Sequence, residues 1–92
     1  MGKYHLVEAD GSGHINKATM KLLYIRTGES QLELIRQHEN LAYLEREMEK
    51  ICARKLNHFR QYHQEPEPIE YEIRDGHGLR FLKVKYKYYE EG

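Results

Sequence analysis

The sequence predicts an α+β fold of ββαββ order, in which two β-hairpins form an antiparallel sheet packed against one long amphipathic helix. Three observations predict it. Residues 3–26 and 69–89 alternate apolar and polar side chains around glycine-bearing turns, the period of half-buried strands. Between them, apolar residues from Leu34 to Tyr62 recur at helical spacing, and no Pro or Gly interrupts them before Pro66. A chain of 92 residues is expected to form one domain, small enough to bury about two thirds of its unfolded surface.

The first hairpin is expected over 3–26. Lys3 to Ala9 reads as a strand, Asp10-Gly11-Ser12-Gly13 as a turn, and His14 to Arg26 as the return strand, where Ala18, Met20, Leu22 and Tyr24 alternate with Lys17, Thr19 and Lys21. A three-residue loop sets Leu6 opposite Ala18 and Tyr4 opposite Met20, with Gly13 taking the left-handed position of a bulged turn. Leu22-Leu23-Tyr24-Ile25 also fits a short helical turn.

The helix is expected over 30–63. Ser30 and Glu33 form a capping-box pair, in which the serine oxygen accepts a first-turn amide and the glutamate reaches back to the cap N–H. At 100° per residue, Leu34, Leu41, Leu44, Met48, Ile51, Cys52, Leu56, Phe59 and Tyr62 fall within an arc of roughly 140°. Acids lead (Glu29, Glu33) and bases follow (Arg54, Lys55, Arg60), which suits the helix dipole. Such a helix would span about 50 Å, more than a small sheet covers. Leu34, Leu41, Met48 and Tyr62 keep a seven-residue period that Lys55 interrupts. Part of the stripe is therefore expected to meet a second copy, giving a homodimer. The alternative is a break near Asn40 or Asn57-His58, with shorter helices in a monomer.

Glu65-Pro66-Glu67-Pro68 is an extended linker, because proline excludes helix there. The second hairpin, 69–89, alternates Ile69, Tyr71 and Ile73 with Glu70, Glu72 and Arg74, then Leu82, Val84, Tyr86 and Tyr88 with Lys83, Lys85 and Lys87. A two-residue Gly76-His77 loop pairs Tyr71 with Leu82, Ile69 with Val84 and Glu70 with Lys83.

Composition narrows the function classes. Lys+Arg and Asp+Glu are 15 each, so net charge is zero and a generic polyanion binder is disfavoured. The single cysteine, Cys52, excludes an internal disulfide framework and points to a reducing compartment. No apolar run has the length of a membrane span or leader core, so no membrane association and a cytoplasmic location are expected.

Few motifs point to chemistry. Residues 8–19 resemble an EF-hand loop, with oxygen side chains at the first, third, fifth and ninth places and glycine at the sixth. They depart from it where coordination is decided, since Thr19 stands in place of the closing glutamate and Glu8 in place of the usual aspartate. A hairpin turn is the simpler reading. His5, His14, His38, His58, His63 and His77 show no metal-ligand spacing. With Cys52 on the apolar stripe, no nucleophile–base pair emerges, and no cofactor, metal or enzymatic activity is expected.

Two surfaces are candidates for binding. Leu34, Leu41, Leu44 and Met48 on the helix stripe, with Ile35 and Tyr43 outside it, are the expected assembly or partner surface. Phe81, Lys83, Lys85, Lys87 and Tyr89 share one face of the last strand, where cations track phosphates and rings stack bases in single-stranded nucleic acid binding. The leading expectation is a non-enzymatic protein–protein interaction module, a small adaptor, inhibitor or assembly factor. A nucleic-acid-binding regulator is the alternative.

Overall fold

The computed structural model describes residues 3–11 and 19–89, the side chain of Phe81 lying outside the described set. Strands β1 (Lys3–Gly11), β2 (Lys21–Arg26) and β3 (Leu32–His38) precede helix α1 (Leu41–Gln61), which is followed by β4 (Ile69–Asp75) and β5 (Arg80–Tyr89). The strands form one five-stranded antiparallel sheet in the order β1-β5-β4-β2-β3, with α1 across one face. The α+β arrangement with hairpins against a long helix is thus present, with one strand more than the ββαββ reading.

That extra strand replaces the first turns of the expected helix. Leu, Glu, Arg and Gln in 32–38 are good helix formers, but pairing with β2 prevails over local propensity. The helix begins at Leu41, not Ser30, and its N-cap is Asn40, whose side-chain oxygen accepts the Ala42 N–H at 2.9 Å. Asn40 was one of the two positions where a break was considered. What precedes the break is a strand, not a second helix. At 21 residues α1 spans about 31 Å. The argument for dimerisation from a helix too long for its sheet therefore loses its premise.

α1 ends in a hydrogen-bonded C-cap. Gln64 N–H donates to Phe59 O at 2.8 Å and His63 N–H to Arg60 O at 3.3 Å, the paired bonds of a Schellman motif. The motif needs a left-handed residue, and His63 supplies it at φ 53°. Pro66 and Pro68 then keep 64–68 out of regular structure.

The N-terminal hairpin is not formed as expected. β1 pairs with β5, setting Tyr4 against Tyr88 and Leu6 against Tyr86, and two strands separate β1 from β2. The Gly11-Ser12-Gly13 loop and Ala18 fall largely among residues 12–18, outside the described residues. β2 is a strand and not a helical turn, and it forms its hairpin with β3. The preference of β1 for β5 has a physical basis visible in the register: Glu8 lies opposite Lys85 and Asp10 opposite Lys83 on one face, and tyrosines meet on the other.

The β4–β5 hairpin forms, two residues out of the expected register. Tyr71 pairs with Val84, Ile69 with Tyr86 and Glu70 with Lys85. The turn chemistry explains the shift. Asp75 Oδ1 accepts the N–H groups of both His77 and Leu79 at 2.9 Å, and Gly78 sits at φ 86°. This closes a three-residue loop, and the ladder absorbs the mismatch in an irregularity between Ile73 and Arg74. Because a shift of two conserves strand parity, the paired side chains of 69–73 and 82–86 keep their expected faces.

Leu23, Ile25, Leu44, Met48, Cys52, Ile69, Tyr71, Ile73 and Val84 form the core between α1 and the sheet. Tyr71 is fully buried, its hydroxyl donating to Met48 O at 3.4 Å. Two substitutions test the helix boundaries. Asn40→Ala is expected to cost about 1 kcal/mol by removing the cap oxygen. His63→Gly is expected to stabilise by about 1 kcal/mol, because glycine relieves the left-handed strain. Urea denaturation midpoints check both signs.

Candidate functional site

The helix-free face of the sheet carries alternating charge. One row runs Tyr24, Glu72, Lys83, Asp10 across four strands, and a neighbouring row runs Glu70, Lys85, Glu8. Arg26 joins both rows, with Nε 3.0 Å from Glu70 and Nη2 3.3 Å from Glu72. Glu72 is buried yet doubly partnered, since Arg74 Nη2 also lies 2.9 Å away, and the Arg74 guanidinium rests 5.3 Å from the Tyr24 ring centre.

This lattice surrounds the lysines singled out from sequence. Lys85 Nζ is 3.5 Å from Glu70, Lys83 lies between Glu72 and Asp10 in register, and Lys87 stands opposite His5. Tyr89 is half-exposed, with its ring 5.4 Å from that of His5. The side chain of Phe81 lies outside the described residues. The three lysines do share one face, but acids of β1 and β4 flank the stripe on both sides. A phosphate chain laid along β5 would meet those carboxylates within a strand spacing, where repulsion offsets attraction. Sequence reasoning placed only Glu70 and Glu72 beside the stripe, because β1 was assigned to another hairpin.

The expected assembly residues separate into two groups. Leu44 and Met48 are core residues, 0% and 1% exposed, and Leu41 packs against that core. Leu34, Ile35 and Tyr43 come together at the sheet edge formed by β3. Leu34 is 42% exposed and faces away from the helix, whereas Ile35 packs against the core. The register slips between Leu23 and Tyr24, so Ile35 is the extra residue of a β-bulge. The bulge turns both Ile35 and Arg36 toward the helix, where Arg36 Nε lies 3.5 Å from Glu47 Oε2. Leu34, Ile35, Arg36, Gln37 and Tyr43 line a shallow cavity of about 480 Å³ that wraps this edge. The Tyr43 ring stacks on His38 at 4.1 Å, and His38 Nδ1 accepts the Asn40 N–H at 2.9 Å.

β3 pairs only with β2 among the described residues, so its outer edge presents backbone donors and acceptors to solvent. The opposite edge, β1, is guarded differently. It carries exposed Lys3, Glu8 and Asp10 and an irregularity between Leu6 and Glu8, both devices that discourage strand addition.

A second concavity, of about 530 Å³, opens between β1 and α1 and is lined in part by Tyr4, Leu6, Cys52, Leu56 and Tyr86. Burial pushes the Cys52 thiol from the ordinary 9.0 up to about 11 and the Tyr4 and Tyr86 hydroxyls from 10.0 to about 12. Tyr71, whose hydroxyl is 3.7 Å from Cys52 Sγ, is pushed well above the ordinary tyrosine range by the same burial. A thiol held protonated is a poor nucleophile, and the same burial packs these groups along the cleft wall.

Among the described residues no group of three or more His, Cys, Asp or Glu side chains is placed to hold a metal ion, and no helix is long and apolar enough to cross a membrane. The loop resembling an EF-hand falls mostly outside the described residues, and Glu8 to Gly11, its first four places, lie in β1. Compared with protein-family models, curated proteins and solved structures, the chain matches none.

The cleft yields a pH prediction with a definite sign. The fold favours the protonated form of each group, so the stabilisation is complete below 9.0 and 10.0 and is lost as pH rises through about 11 and 12. Melting temperature should hold from neutral pH to the lower of these values and then fall steeply, with tyrosinate absorbance rising together with unfolding. Site-resolved ring signals of Tyr4 or Tyr86 that titrate at the ordinary value in folded protein would contradict the assignment.

Proposed function

We propose that this chain is a non-enzymatic protein-interaction module of the cytoplasm, a small adaptor, inhibitor or assembly factor, which takes an extended segment of a partner protein as a sixth strand on the outer edge of β3. One observation carries the reading: among the described residues β3 is an edge strand paired on one side only, and the cavity of Leu34, Ile35 and Tyr43 lies along it. Main-chain hydrogen bonds supply affinity in this mode of recognition, and pockets for alternate side chains supply selectivity. The free, buried Cys52 supports a reducing compartment.

The nucleic-acid reading has less support, because Lys83 and Lys85 each have acids on both sides. A homodimer remains compatible with the proposal when its contact is moved from the helix to β3, since antiparallel edge pairing is self-complementary about a two-fold axis.

Selection of peptides from a random displayed library, followed by amide mapping of the bound chain, tests the proposal. The expected winners bind extended, shift the amides of 32–38, and weaken at least about tenfold against Leu34→Asp without loss of folding. Winners that map instead to the Lys83–Lys87 face would sink it. Light scattering over the same concentrations reports whether a second copy competes for the edge.

A further inference from the structure

Helix α1 divides sharply by charge. After Glu49 no acid occurs until Glu65, while Lys50, Arg54, Lys55 and Arg60, with His58 and His63, fall between them. In a chain of net charge zero this is a local concentration of cations. The helix dipole accounts for part of it only: its effect is confined to about the last turn, which contains His58 and Arg60. Lys50 and Arg54 lie further back and need another reason.

Their position supplies one. Tyr43, Glu47, Lys50, Arg54 and His58 recur three or four residues apart and so share one flank of α1. Glu47 identifies that flank, since its carboxylate reaches Arg36 of β3 at 3.5 Å and Lys50 at 3.7 Å. Lys50, Arg54 and His58 therefore lie on the side of α1 that faces β3, whereas Lys55 also lines a cavity with Ile25, Arg26, Thr27 and Glu67. Lys50 is 70% exposed, and among the described residues neither Arg54 nor Lys55 has a carboxylate in ion-pair range. Ile51, Arg54, Lys55, His58 and Phe59 line a cavity of about 430 Å³, with half-buried Ile51 and Phe59 beneath the charged groups. On its other face the same edge offers Leu32 and Leu34.

We propose that the segment received by β3 is acidic, with Asp or Glu at alternate positions facing the Lys50 and Arg54 flank and apolar residues at the intervening positions over Leu32 and Leu34. This rests on the strand-addition reading above and specifies its partner. Strand periodicity puts alternate side chains on opposite faces, so one strand satisfies both demands. The apolar floor at Ile51 and Phe59 accommodates the methylene stems of glutamates whose carboxylates reach the rim. A protein segment is favoured over nucleic acid because only a peptide backbone can extend the ladder of β3, which pairs with β2 alone among the described residues.

The test uses fluorescence anisotropy with three labelled probes: a peptide of about ten residues alternating valine and glutamate, its valine–glutamine counterpart, and a single-stranded oligonucleotide. Each is titrated with the wild-type chain, with Lys50→Gln/Arg54→Gln, and with Leu34→Asp, all checked for folding. The glutamate peptide is expected to bind about tenfold more tightly than the glutamine peptide at low salt, and to lose that advantage near 0.5 M salt, roughly where screening shortens to a few ångströms. The advantage should also disappear in the double variant, while glutamine-peptide binding stays unchanged there. Equal binding of both peptides, lost in Leu34→Asp, would overturn the acidic partner and leave strand addition standing. Binding of neither peptide overturns both. Oligonucleotide binding abolished by the double variant, without peptide binding, would assign the flank to nucleic acid instead.

Discussion

The structure depends on a corner two residues long. At Glu39-Asn40 the chain stops being a strand and becomes a helix, and three hydrogen bonds hold it there: Asn40 Oδ1 accepts from Ala42, His38 Nδ1 accepts from Asn40, and Lys21 Nζ donates to Glu39 O at 2.6 Å. Lys21 is almost fully buried, so its ammonium spends its charge on carbonyls here and on Thr19 O at 3.1 Å. Moving this corner back to Ser30 would remove β3, leave the outer edge of β2 unpaired and detach Glu47 from Arg36. The length of the helix, the width of the sheet and the candidate interface all follow from where the corner falls.

Much of the fold was legible because it follows from side-chain alternation. Ile69, Tyr71 and Ile73 face the helix as their period requires, and remain so although the register moved by two. Asp75 could have revealed the shift: an aspartate two residues before His77 and three before Gly78 is a turn-capping pattern that lengthens the loop. β3 was not legible, because Leu34 extends the heptad of the true helix by coincidence and Ser30-Glu33 mimics a capping box. Its strand identity comes from β2, a contact distant from any local signal. Asn40, a good cap residue just before the first well-packed turn, was the available clue.

The candidate site was partly legible for the same reason. Ile35 and Tyr43 were noticed as apolar residues off the helix stripe, and they are off it because one belongs to a strand and the other faces that strand. Leu44 and Met48, read as assembly residues, are the most deeply buried positions of the helix. The charge pattern carried a similar ambiguity. Lysines alternating on β5 looked like a basic face until β1 brought Glu8 and Asp10 beside them. By contrast, the run of bases on α1 is visible in sequence, where the helix dipole accounts for its last turn and leaves Lys50 and Arg54 unexplained.

The chain has one thiol, and it lies at the centre of the core, touching Tyr71 and held protonated by burial. Although Cys52 lines the cleft between β1 and α1, it is 3% exposed, so a reagent that modifies only thiolates reacts with it fastest when α1 lifts from the sheet. The labelling rate of the unmodified chain thus serves as a clock for the lifetime of the closed domain. With no competing cysteine to block or subtract, that clock can be read on the natural sequence in dilute solution. A ligand added at β3 that slows it does so by holding the helix down, which separates gripping the domain from merely touching it.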